Sequence, residues 1–130
     1  MLPAYVRGPE RAAIWITSWL DRLGATAITP DCPVTLQVET SGNVVGVWLR
    51  ANISFADGRS LHIVVQFDGQ LQARRYAFDV ITNGKREWGW HGHQEPAAFH
   101  HRHLPPAFKA SSADPATFEK IEQLFHGEAR

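Results

Sequence analysis

Five of the chain's seven histidines fall within thirteen residues, as His91 and His93 and then His100, His101 and His103. Imidazole ligates transition metals, moves protons near neutral pH and, when protonated, holds a phosphate. So dense a stretch points to those three kinds of chemistry. His91 and His93 stand two apart at the end of a strand-like run. If the strand persists, both rings project from one face with Cβ atoms roughly 6–7 Å apart. That spacing chelates a metal, Zn²⁺ or Mn²⁺, with a third ligand from His100, His101 or His103 and with Glu87 or Glu95 as base or further ligand. No HExxH signature accompanies it.

A second reading needs no cofactor. One imidazole takes a proton from a group attacking a phosphodiester, another returns one, and an arginine stabilises the developing charge. His100, His101 and His103 are the catalytic candidates, joined by Arg75 and by the phenol of Tyr76. Arg74, Arg86 and Arg102 lie in or beside the same region. Trp88 and Trp90 share a strand face and either stack on a base or line the core. With Arg74 and Arg102 they make the substrate-binding set. A third reading is a noncatalytic protein- or ligand-binding module, in which the histidines only order a loop over the sheet edge.

The elements that must position these residues follow from periodicity. From Glu10 to Leu23, Trp15, Trp19 and Leu23 recur every four residues beside Ile16 and Leu20, which predicts an amphipathic helix stopped by Gly24. Core packing explains that tryptophan stripe better than a stacking platform does. Beyond Pro30 to Pro33 the period becomes two. Val34, Leu36 and Val38 alternate with polar residues, and Val47, Leu49, Ala51, Ile53 and Phe55 mark one face of a second strand. Ser41-Gly42-Asn43, Asp57-Gly58, Asp68-Gly69 and Asn83-Gly84 are turn signals separating strands at Val45 to Phe55, Leu61 to Phe67, Ala73 to Thr82 and Arg86 to Trp90.

In the fourth strand alternation puts Arg74 and Tyr76 on one face and Arg75 on the other. Pairing of the arginines with Glu39, Asp79 or Glu87 competes there with phosphate contact. His62, between Leu61 and Ile63, faces the solvent side. The stretch from His91 to Pro106 reads as irregular, and Ser112, Asp114 and Pro115 prepare a last helix from about Ala116 to His126. The expected fold is α+β, one domain spanning 1–130, with a meandering antiparallel sheet of about five strands and an N-terminal and a C-terminal helix packed on it.

Thirteen basic and thirteen acidic residues cancel, which excludes a large nonspecific field for nucleic acid or membrane. Cys32 is the only cysteine, so no intrachain disulfide forms and a reducing compartment is expected. Neither a leader-like segment in Met1 to Pro9 nor an apolar run of membrane-spanning length is present, giving the expectation of a soluble, cytoplasmic protein without membrane contact.

Taken in order, FADGRSLHI (Phe55 to Ile63), RYAF (Arg75 to Phe78), a turn with Gly84, Trp88 with Trp90, and FHHRH (Phe99 to His103) resemble the TumE family of toxins from bacterial toxin–antitoxin pairs. The resemblance runs from Phe55 to His103. It implies a toxin neutralised by an antitoxin protein and acting on RNA or another cellular phosphate compound, for RNA as a ribonuclease-like hydrolase, with Asp57, Gly58, Arg75, Tyr76, His100, His101 and His103 matching the family pattern. Where the family carries an acidic strand end and a proline before its histidine pair, this chain has Trp88-Gly89-Trp90-His91-Gly92-His93 and Phe99.

Overall fold

A computed structural model describes residues 1–93 and 99–127. Helix α1 (Pro9–Arg22) is followed by strands β1 (Ala27–Thr29), β2 (Val34–Val38), β3 (Val44–Ser54), β4 (Arg59–Asp68), β5 (Ala73–Thr82), β6 (Lys85–Gly92), β7 (His100–His103) and β8 (Ala110–Ser112), and by helix α2 (Phe118–His126). All eight strands join one antiparallel sheet in the order β1-β3-β4-β5-β6-β7-β8, with β2 also paired to β3. The expected α+β architecture holds, and no helix interrupts the chain between Val45 and Trp90.

The sheet is larger than the five strands expected. β1 is three residues long, too short to show a period of two. The larger correction is the segment His91 to Pro106, read as irregular but containing the end of β6 and all of β7. Its histidines, glycine and prolines mask a ladder in which His91 faces His101 and Gly92 faces His100. Glu95 lies outside the described residues.

Turn chemistry sets the register. Asn83 and Gly84 both take positive φ, 53° and 76°, the pairing a two-residue hairpin that follows strand twist requires. Asp68 Oδ1 accepts the backbone N–H groups of Gln70 and Gln72, both at 2.9 Å, which closes the β4–β5 loop.

Both helices cover one face of the sheet. Val47, Leu49, Ala51 and Ile53 of β3, Leu61, Ile63, Val65 and Phe67 of β4, and Tyr76, Phe78 and Val80 of β5 are buried there. Phe118 of α2 is the hub, with ring centroids 4.8 Å from Trp19 of α1, 5.9 Å from Phe78 and 6.3 Å from Phe67. The tryptophan stripe of α1 is therefore core, as its spacing indicated. α2 starts two residues later than expected because Thr117 is its N-cap, its side chain accepting the Lys120 N–H at 3.0 Å. Among the described residues, no helix lies on the other face of the sheet. Trp48, Arg50, Asn52, His62 and Arg75 are exposed on it.

Candidate functional site

Pairing of β6 with β7 decides which histidines meet. Opposite residues share a face, and His91 lies across from His101 while Gly89 lies across from His103. These positions continue the face of Asp79, Ala77 and Arg75 on β5, the face without helices. His93, just past the end of β6, extends the row. The result is a cluster of four imidazoles. Ring centroids are 4.7 Å apart for His93 and His101, 4.8 Å for His91 and His103, 5.1 Å for His101 and His103, 5.4 Å for His91 and His101, and 5.6 Å for His91 and His93. His91 and His101 are buried, whereas His93 and His103 are half-buried at the rim.

Hydrogen bonds orient His91 and His103 within the group. His91 Nε2 lies 2.8 Å from Asp79 Oδ1, which also accepts Arg86 Nε–H at 3.1 Å. An Nε2–H donated to the carboxylate leaves the lone pair of His91 on Nδ1. Gly89 makes room for this pair, since a Cβ there would stand 2.5 Å from Asp79 Oδ1 and 3.1 Å from His91 Nε2. On the rim, His103 Nδ1 donates to the Phe108 carbonyl at 2.7 Å, which leaves Nε2 of His103 as an acceptor.

The sequence-derived set divides between two faces. Arg75 shares the open face with His91, His93, His101 and His103. Tyr76, His100, Trp88, Trp90 and Arg102 belong to the helix-covered face. Tyr76 is buried and bonded to His100 Nδ1 at 2.7 Å, and its oxygen accepts the Ala116 N–H at 3.2 Å. A phenol already accepting from backbone directs its own proton to His100. The pair thereby ties β5 and β7 to the segment before α2. Gly92 permits this, because the Tyr76 ring occupies the space a Cβ would fill. Trp90 donates Nε1–H to the Asp114 carbonyl at 3.0 Å. The Arg102 guanidinium lies 4.7 Å from the Trp90 ring centroid and 5.7 Å from that of Trp88. Arg74 pairs with Asp68 at 2.8 Å rather than with Glu39, Asp79 or Glu87. Glu87 accepts a hydrogen bond from Thr82 Oγ1 at 2.8 Å and stands apart from the imidazoles.

Asp79, Gly89, Trp48 and Arg50 were not singled out as site residues from sequence. For Trp48 and Arg50 the signal was present, because a strand with Val47, Leu49 and Ala51 inward must turn them outward. Shallow grooves run along that face, one of about 230 Å³ lined by Arg50, Asn52, His62 and Asp79, another of about 320 Å³ lined by Trp48, Arg50, Gln66 and Arg75.

Desolvation holds His93, His100 and His103 below the ordinary imidazole range, with repulsion from His101, His91 and Arg75 adding to the effect at His93. These imidazoles are neutral at pH 7, suited to accept protons or ligate metals. The sign for stability follows. An unfolded histidine takes up its proton near pH 6.5 and the folded one only lower, so the unfolded state binds more protons in between and stability falls as pH drops through about 6.5. Scanning calorimetry is expected to show a lower thermal midpoint at about pH 5.5 than at about pH 7.5. An unchanged midpoint contradicts the shifts.

A single antiparallel sheet with two helices on one face and a histidine cluster on the other defines the class as a small α+β protein with an open-faced polar site. The chain belongs to the toxin TumE family, whose family model matches residues 33–128. The match reaches back to β2 and forward through α2, well beyond the motifs between Phe55 and His103. It leaves α1 outside. No curated protein and no solved structure gives a significant match.

Proposed function

We propose that this member of the toxin family is the toxic half of a bacterial toxin–antitoxin pair and cleaves RNA at the four-histidine face. The observation that carries the reading is the convergence of His91, His93, His101 and His103 with Arg75 on a sheet face that, among the described residues, carries no helix. Single-stranded RNA is held elsewhere by exposed aromatic and arginine side chains on open sheets. Trp48, Arg50 and Arg75 supply that chemistry here, in place of the core-facing Trp88 and Trp90.

In the proposed reaction His103 is the general base. Its Nδ1–H is committed to Phe108, its Nε2 lone pair is available, and burial keeps it neutral. It takes the proton of a ribose 2′-hydroxyl, whose oxygen attacks the adjacent phosphorus while the bond to the 5′-oxygen breaks and that oxygen is protonated by solvent. Arg75 binds the phosphate. Tyr76 and His100 act as positioning residues that hold β7 in register. A family of toxins implies an antitoxin protein as partner, and the site of action is the cytoplasm. Among the described residues no helix is long and apolar enough to cross a membrane.

Growth after induced expression in bacteria tests the reading. Wild-type chain is expected to arrest growth, and a variant carrying both Arg75→Ala and His103→Asn to restore it, with protein level and thermal midpoint maintained because Arg75 is exposed and His103 only half-buried. A double variant that still arrests growth would show that toxicity arises elsewhere.

A further inference from the structure

His91, His93 and His101 each bring one ring nitrogen to within 4.8 Å of the other two. Tetrahedral zinc with Zn–N bonds of about 2.0–2.1 Å spaces its ligand nitrogens about 3.4 Å apart. The three nitrogens must therefore approach by at most about 1.4 Å, the difference between the spacing present and that required. Small ring rotations on paired strands supply that movement without a change of fold.

The surroundings point the same way. Metal-ligating histidines ordinarily give their second ring nitrogen to a carboxylate, which fixes tautomer and ring orientation. Asp79 does this for His91, and the missing side chain of Gly89 leaves room for it. All three donors are imidazoles, a set that suits zinc and its neighbours rather than magnesium or calcium.

We propose that His91, His93 and His101 bind one divalent transition metal of the zinc type, with Asp79 as the orienting partner of His91 and with the fourth position open to water beside His103. Three protein ligands and one open position is the pattern of catalytic rather than structural zinc. A cation there, next to Arg75, makes the histidine face an anion site able to hold a phosphate oxygen. The inference rests on the histidine face of the proposed function, not on RNA being the substrate.

The test uses the full chain purified without a histidine tag, stripped with EDTA, dialysed and titrated with Co²⁺, then with Zn²⁺ in competition. The visible absorption of tetrahedral Co²⁺ is expected to saturate at one ion per chain and to disappear as Zn²⁺ displaces it. Asp79→Asn is expected to weaken binding about 10–100-fold at unchanged stoichiometry, His93→Asn to weaken it at least as much, and His126→Asn to leave it as in the wild type. His93 is half-buried, so its variant folds even if a His101 variant does not, and circular dichroism checks this. A wild-type chain that takes up neither ion at micromolar concentration, or a folded His93→Asn chain that binds as tightly as wild type, overturns the proposal. Metal uptake by a chain harmless to cells sinks the toxin reading alone. Growth arrest by a chain that takes up no metal sinks only the metal site.

Discussion

Replacing Trp19 with Ala will destabilise the fold by about 3–5 kcal/mol, the range for deleting a large aromatic side chain from a closed core. Trp19 has 0% exposure and packs edge-on against Phe118 at 4.8 Å. It thus joins α1 to α2 and, through Phe118, to Phe67 and Phe78 of the sheet. Neither helix can move in to fill the space without losing its own contacts to the sheet, so the cavity stays open. The indole Nε1 has no hydrogen-bond partner among the described residues, so the loss is one of packing rather than of a polar contact. Trp19→Phe is accordingly expected to cost much less. Urea denaturation measures both. A fall of under about 1 kcal/mol in the alanine variant contradicts a core role, and a phenylalanine variant as unstable as the alanine one contradicts the packing account.

That this tryptophan is core was legible because helical periodicity and burial select the same residues. Strands β3 to β6 were legible for a similar reason, since their turns carry Asp-Gly and Asn-Gly signals and their faces alternate. The site was harder to read. Histidine is neither strongly apolar nor a strand former, so FHHRH showed no period. The β6–β7 ladder rests instead on cross-strand backbone bonds, which a local pattern does not display. Without that ladder the alternation of β7 could not be assigned, and the five histidines seemed one group. Once β7 pairs with β6, His101 and His103 join His91 and His93, while His100 turns inward to Tyr76. Asp79 was visible only as a possible partner for an arginine, because its bond to His91 depends on the β5–β6 register and on the absence of a side chain at Gly89.

The division of the histidines between faces sets the other large effect. If the proposed RNA cleavage runs through His103, His103→Asn is expected to lower that rate by about 10²–10⁴-fold, the usual contribution of a positioned general base, which corresponds to about 3–5 kcal/mol in the barrier. Asparagine keeps a donor for the Phe108 carbonyl but offers no lone pair of comparable basicity. His100→Asn is different in kind. It disturbs the bond to buried Tyr76 and is expected to lower the thermal midpoint more than it lowers the rate measured on folded protein.

The most direct measurement is single-turnover cleavage of an RNA oligonucleotide by purified, tag-free protein, with and without added Zn²⁺, comparing wild type with His103→Asn and with a substrate lacking the 2′-hydroxyl at the cleaved position. Cleavage by wild type that leaves 2′,3′-cyclic phosphate ends, falls at least about a hundredfold in His103→Asn and vanishes with the deoxy substrate is the expected result. Equal rates for wild type and His103→Asn, or equal cleavage of the deoxy substrate, contradict the assignment of the histidine face as an RNA-cleaving site.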